Sequence, residues 1–483
     1  MNKKAIRYYV GYMLLMEALL MLPAFFISVY RKETDSITGF LQTLIPLFIF
    51  SLLCIFLKQN KSHALQAREG FLTVGLSWVL LSVFGCLPFY FSGKIPHFID
   101  ALFETVSGLS TTGASILSDI DGIGRGLVFW RSFTHWVGGM GVLVFVLTII
   151  PLSKGHGDSL FLLRAESPGP SVGKITPTMR KTARILYIIY ILMTVLLIGL
   201  LLLDGMPLFD SVCNAFGAAG TGGFSVRNAG MSLYSQRSQT ILAVFMVLFG
   251  VNFSVYVLLL TGQWKRALQD EELRLYLFFI LFSCLFITAN VRASFSSFLE
   301  ALHHVFFTVS SLITTTGYAT VDFSLWPAAS RWILLVLMLL GACAGSTGGG
   351  IKISRFLIMF KSLKNEIATM LRPRSVHTVR INKKIVNTHT VNSVSIFFLT
   401  YFCIFILSCF ILSFDNKDGI TTATAVIACL SNIGPGLGQV GPMSNFSSFS
   451  DISKIVLSLD MLFGRLEIFP MLLLFSPRAW KKG

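Results

Sequence analysis

The sequence predicts an all-α polytopic membrane protein: two extra N-terminal transmembrane helices, then four pseudo-repeats of span, half-helix, glycine turn and span around a common axis. Three observations predict it. Of 483 residues, 54% are hydrophobic and only 13% charged, with a mean hydropathy of +0.73, whereas ordinary soluble domains carry about 25% charge. Ten apolar stretches approach or exceed the length that crosses a bilayer. Among the last eight of these, four shorter semi-polar segments each close on glycine.

The stretches lie near 8–30, 39–57, 71–92, 127–151, 184–204, 238–261, 273–291, 330–360, 392–414 and 453–476. The first follows Lys3, Lys4 and Arg7 and is longer than the apolar core of a signal peptide, so it reads as a retained span. The stretch at 330–360 is too long for one simple helix. Gly345-Ser-Thr-Gly-Gly-Gly350 interrupts it, so a broken span is expected. These elements divide the chain into an N-terminal pair (1–69) and repeats at 70–152, 183–262, 271–361 and 391–483.

A net charge of +16 raises the question of nucleic acid, but the bases follow topology instead. With the amino terminus inside, the stretches 1–7, 58–68, 151–184, 262–274, 352–384 and 478–483 hold 27 of the 39 Lys and Arg residues. That bias places both termini on the cytoplasmic face. No basic stretch is interleaved with stacking aromatics, which argues against nucleic acid. The eight cysteines show no C-x-x-C spacing and fall almost entirely in apolar segments, where they read as small core residues.

The four short segments are Phe98–Ala114, Leu208–Phe224, Phe298–Tyr318 and Gly419–Pro435. Each offers 10 to 15 helix-compatible residues before a Thr-, Ser- or Asn-rich turn on Gly113, Gly223, Gly317 or Gly434. Such helices are too short to span and suit re-entrant segments. Non-helical backbone at membrane depth is tolerated only inside protein or against a water-filled cavity. Four such turns converging on one axis, with glycine opening unusual torsions, could aim carbonyls at a cation in place of its water. Half-helix carboxyl ends would add partial negative charge. The alternative for any one turn is an ordinary glycine helix cap. Four in register between paired spans favour the pore.

At these motifs the chain resembles the Trk/Ktr/HKT superfamily of potassium transporters, and within it the bacterial TrkH/TrkG type. The resemblance runs along nearly the whole length. It is carried by Ser110-Thr-Thr-Gly-Ala114, Thr221-Gly-Gly-Phe-Ser225, Thr314-Thr-Thr-Gly-Tyr318, Asn432-Ile-Gly-Pro-Gly436, Cys343–Lys352 and Phe463-Gly-Arg-Leu-Glu467. Tyr318 stands where Phe is usual, and Thr221 where an aliphatic residue is common. The resemblance implies a potassium filter of Thr111, Thr112, Gly113, Thr221, Gly222, Gly223, Thr315, Thr316, Gly317, Asn432, Ile433 and Gly434, mostly through backbone carbonyls. In that family, glycine in all four turns goes with potassium and serine in the first goes with sodium permeation. Spacing alone does not tell the two ions apart.

Gly345, Ser346, Thr347, Gly348, Gly349 and Gly350 lack the lysine placement of a phosphate-binding loop, and Ile351-Lys352 follows instead. A kink for close packing is one reading. The resemblance implies another, a loop that obstructs the pore beneath the filter until it moves. Arg465, expected well inside the last span, is costly there and reads as functional. Asp460 and Glu467 sit at unsuitable helical spacings, so its partner should come from elsewhere. The family suggests the Gly345–Gly350 loop, held by Arg465 below the filter; a structural anchor to another helix is the alternative.

Weaker candidates are His303-His304, read as packing or hydrogen-bonding residues, and His135-Trp-Val-Gly-Gly-Met-Gly141, read as a close-packing site. Asp100, Glu104, Asp210 and Glu300 are expected near half-helix starts, capping them or attracting cations at the outer mouth. An alternating-access secondary transporter would also use a broken helix, but not four similar turns; a sodium-permeable homologue is a further alternative. No zinc-protease motif or nucleophile elbow suggests an enzyme. The resemblance implies potassium as substrate without a covalent cofactor, a bacterial inner-membrane location, a homodimer and a cytoplasmic ring of nucleotide-binding regulatory subunits.

Overall fold

The computed structural model describes residues 2–57, 67–141, 179–375 and 377–481. The inner stretches expected at 58–68 and 151–184, and the end of the span expected at 127–151, lie largely outside the described residues.

Among the described residues, six helices are long and apolar enough to cross a bilayer: Lys3–Arg31, Thr34–Phe56, Arg68–Phe91, Thr182–Leu203, Glu271–Ser294 and Thr388–Asp415. They are the N-terminal pair and the incoming span of each unit. Every incoming span leads to a short helix, namely Phe98–Leu109, Leu208–Gly220, Phe298–Ile313 and Gly419–Leu430. Side chains cap two of the later starts: Ser297 accepts from the Glu300 amide and Asp418 from the Thr421 amide.

The outgoing helices correct the sequence reading. Only the break in 330–360 is expected from sequence, yet the other three stop early as well. They run Arg125–Gly139, Gln236–Phe249, Ala328–Leu340 and Asp451–Arg465, at 15, 14, 13 and 15 residues. At 1.5 Å per residue such helices rise only about 20–22 Å, less than the ~30 Å hydrocarbon core. The span expected at 238–261 bends by 91° between Phe249 and Phe253. The one expected at 453–476 breaks where Glu467 and Ile468 take positive φ. Arg465 is therefore the last residue of a helix, not an interior one.

The N-terminal pair packs on the third long helix and the first outgoing helix. Glycines permit the approach: a Cβ on Gly39 would lie 2.7 Å from the Pro88 carbonyl oxygen, and one on Gly126 would strike Ser28. A two-residue hairpin, Arg380–Ile381 against Lys384–Ile385, docks on the start of the third unit, where Asn382 bonds Asp270 at 2.7 Å.

Glu104 also departs from expectation. Instead of lying at a helix start or an outer mouth, it is buried and receives Arg131 Nε at 2.6 Å, Ser115 Oγ at 3.0 Å and the Ile116 amide at 2.9 Å. Arg131 continues to the Ser225 carbonyl at 2.9 Å and lies over the Phe224 ring at 3.5 Å. One ion pair thus joins the first short helix, the segment that follows its turn, the first outgoing helix and the second unit. Removing one partner of a buried pair strands the other charge. Arg131→Met should therefore destabilise the protein by about 3–5 kcal/mol, and Arg131→Met combined with Glu104→Leu by clearly less. Thermal unfolding in detergent measures both.

Candidate functional site

The four short helices end in the same way. The amides of Thr111, Thr221, Thr315 and Asn432 bond three residues back at 3.1 to 3.2 Å. Those of Thr112, Gly222, Thr316 and Ile433 bond five residues back at 2.8 to 2.9 Å. This pair of bonds is the Schellman pattern, which turns on one left-handed residue. That residue is usually glycine, but here it is Thr111, Thr221, Thr315 or Asn432, at φ 59°, 56°, 59° and 55°. The glycines at 113, 223, 317 and 434 lie two residues beyond, at φ 80°, 72°, 85° and 97°. The glycine is therefore not the helix cap.

The turns close into a ring in chain order. A Cβ on Gly113 would collide with the Gly222 carbonyl oxygen, on Gly223 with that of Thr316, and on Gly317 with that of Ile433. On Gly434 it would lie 2.7 Å from the Thr112 oxygen, completing the circuit. Side chains clamp the neighbours. The His135 ring lies 2.8 Å from the Gly108 carbonyl and accepts from the Phe224 amide at 3.2 Å, a pairing that makes Nδ1 the protonated nitrogen. Tyr318 donates to the Asn214 carbonyl at 3.1 Å, a bond the usual Phe could not make. Asn432 donates to Thr112 Oγ1 at 3.0 Å and to the Met461 carbonyl at 2.8 Å.

The loop between Leu340 and Ile353 lies directly against the third and fourth turns. The Gly349 amide donates to Thr315 Oγ1 at 2.6 Å, and a Cβ on Gly349 would lie 2.5 Å from the Ser431 carbonyl oxygen. Lys352 is buried, and its ammonium returns to the Gly348 carbonyl. Glu272 takes the Ala344 and Ser354 amides at 2.7 and 3.0 Å, pinning both ends of the loop. The bend in the second unit meets the loop too: Phe253 donates to the Gly345 carbonyl at 3.1 Å, and Cys343 to that of Gly250 at 3.1 Å.

Arg465 reaches this loop, donating to the Thr347 carbonyl at 3.1 Å. It also meets the end of the first outgoing helix, at the carbonyls of Gly138 and, at 2.6 Å, Gly139, and lies 3.4 Å from Thr111 Oγ1. The loop is the partner expected from sequence, and Gly138 and Gly139 are not. Neither Glu272 nor Asn252 is among the residues expected from sequence; the Asn252 Oδ1 accepts from the Ser254 amide at 2.9 Å and would lie 3.2 Å from a Cβ on Gly345. The available signal was an acidic residue opening an apolar span and an amide inside another.

The remaining candidates separate. Lys454 pairs with Asp100 at 2.6 Å, while Glu300 receives the Ser296 amide at 3.1 Å. Buried Asp210 receives the Tyr234 hydroxyl at 3.1 Å, with Arg125 and Arg227 each at 3.6 Å. His303 meets Gln239 at 2.8 Å and His304 meets Thr320 at 2.9 Å, which is hydrogen bonding as expected. Gly138 abuts the Leu109 carbonyl and Gly139 abuts Gly220, the close packing expected of that motif. On the exposed loops, Asn228 donates to Asp119 at 2.8 Å and holds its carboxyl below the ordinary range.

Among the described residues, six long apolar helices, with four short helices that end in turns, define an integral, multi-pass membrane protein. The family model TrkH, described as a cation transport protein, matches residues 36–482. The Trk system potassium uptake protein TrkH of Escherichia coli K12 is 34% identical over 100% of both chains. TrkG of the same strain is 33% identical over 98% of this chain and 97% of its own. The crystal structure of the potassium transporter TrkH from Vibrio parahaemolyticus matches with a TM-score of 0.87 and 31% identity over 100% of both chains. The chain belongs to the TrkH family.

Gly223→Ala would drive a methyl into the Thr316 carbonyl at a positive φ and should lower the melting temperature sharply. Gly199 is the control: it lies in a helix, and a methyl group added there would meet nothing within 4 Å. Gly199→Ala should be neutral or stabilise by about 0.5–1 kcal/mol.

Proposed function

We propose that this chain conducts potassium ions across the bacterial inner membrane through a filter formed by backbone carbonyls of the four turns. The observation that carries this reading is the closed ring of four turns with one repeated φ pattern: positive, negative, positive. Alternating handedness turns successive carbonyls toward the same side, and rings of carbonyls replace the hydration shell of potassium. The relatives' names, which specify potassium uptake, support the ion.

On this reading Thr111 to Gly113, Thr221 to Gly223, Thr315 to Gly317 and Asn432 to Gly434 line the path. Gly345 to Gly350 block it from below, with Arg465 holding them. The contacts of Arg465 to Thr347, Gly138 and Gly139 support the gate, because they cross from the loop to a different unit. Both termini lie on the cytoplasmic face, supported by the distribution of Lys and Arg. A homodimer served by a nucleotide-binding cytoplasmic subunit is the assembly that goes with this role.

The test is rubidium or potassium uptake by liposomes holding the purified protein, with sodium as competitor. Wild type should be potassium-selective, and Gly113→Ser should lose selectivity because its side chain meets the Gly222 carbonyl. Selectivity unchanged in a folded Gly113→Ser protein would remove this turn from the filter. Arg465→Ala should raise flux; unchanged flux would sink the gate.

A further inference from the structure

Below Arg465 the chain takes a conformation that its sequence resists. The helix Asp451–Arg465 ends in another Schellman pair, with Glu467 left-handed at φ 54° and the Ile468 amide bonding the Phe463 carbonyl at 2.7 Å. Ile468 then has φ 68° and ψ −59°, and the Phe469 amide bonds the Glu467 carbonyl at 2.8 Å. Those torsions and that bond make a γ-turn of the rare, strained hand. For a β-branched residue the strain is larger still.

Such a turn persists only where its surroundings over-determine it. Here the surroundings include the exit of the loop. Ile468 is fully buried in a cluster with Ile351, the residue that follows Gly350. Arg355, in the first turn of the helix Ile353–Leu371, is 5% exposed. It donates to the Ile351 carbonyl at 2.9 Å, lies over the Phe397 ring at 3.9 Å and pairs with the Glu467 carboxylate. The loop's exit and the strained turn are thus joined twice, by burial in one apolar cluster and by an ion pair. Neither Ile351 nor Arg355 can shift while both joints hold.

We propose that Arg355 and Glu467 form a latch that positions the Gly345–Gly350 loop in its obstructing place, working against the strained turn at Ile468. Displacing the loop breaks the pair and lets the turn relax, so the strain favours release and the latch opposes it. This inference rests on the gate reading above. Arg355 and Glu467 are positioning residues and touch no ion.

The experiment is rubidium uptake by liposomes holding the full chain alone, with each variant first checked for monodisperse elution. Glu467→Gln and Arg355→Gln should each raise basal flux by about fivefold or more, in the range of ordinary coupling between sites. The swap Arg355→Glu with Glu467→Arg should bring flux back toward wild type. Ile468→Ala and Ile468→Gly both lose packing in the cluster that holds Ile351 and differ chiefly in strain, so the glycine variant should conduct less than the alanine variant. Arg465→Ala runs beside them. If Arg465→Ala raises flux and the single latch variants do not, the latch is overturned while the gate stands. If none of them changes flux, the gate reading itself fails. Single variants that conduct more but are not corrected by the swap would overturn the pairing. Loss of folded protein in both single variants would make the pair a folding contact and overturn the latch.

Discussion

Backbone that leaves a helix inside a bilayer must find every hydrogen bond within protein, because lipid offers none. The bond from the residue after the left-handed one back to the carbonyl five residues earlier meets that demand in each of the four turns. It requires a left-handed residue, and a polar one serves twice. Thr315 accepts the loop amide of Gly349, Asn432 spans to Thr112 and Met461, and Thr111 meets Arg465. In three of the four turns the residue that bears the awkward torsion also anchors the turn to its surroundings, whereas the Thr221 hydroxyl returns to the Gly220 carbonyl. Glycine is thereby left free for the place where adjoining turns touch backbone to backbone.

The ring closes through different chemistry at different joints. Between the first and second units, His135 and the Glu104–Arg131 pair carry the contact. A tyrosine hydroxyl joins the second to the third, and an amide joins the fourth to the first. Between the third and fourth, Gly317 rests against Ile433 and Pro435. Four units alike in backbone are therefore unlike in side chains. Among the described residues, the break that opens into a loop, in the third unit, draws on the second unit at Gly250 and Phe253 and on its own entry at Glu272.

Much of this was legible in the sequence, for reasons that can be named. Long apolar runs identify the incoming spans because lipid selects them residue by residue. The turn positions were legible because Thr, Asn and Gly cluster there against an apolar background. The breaks after Gly139, Phe249 and Arg465 were not, since the residues beyond them stay apolar and hydropathy carries no mark of direction. Glu104 misled for a related reason: an acid seven residues into Phe98–Leu109 resembles a helix-start charge, and its partner Arg131 lies beyond the turn. The strain at Ile468 had no sequence signal, because isoleucine is a poor choice for a positive φ and only tertiary packing imposes it.

On the proposed reading, the short outgoing helices explain why an arginine stands on a cation route. A helix that stops after 13 to 15 residues leaves its last carbonyls at mid-depth, where they carry partial negative charge and have no lipid partner. The bends in the second and third units use part of this acceptor capacity internally, as Cys343 does on the Gly250 carbonyl. The first unit ends on Gly138 and Gly139, whose carbonyls receive Arg465 instead. On the proposed reading, the guanidinium occupies oxygens that would otherwise help to stabilise a passing ion. Its cost of burial is met by those carbonyls and by Thr347 of the loop. Holding the loop and cancelling the local negative potential are then one act of one side chain. Withdrawing it would clear the obstruction and restore the carbonyl field together.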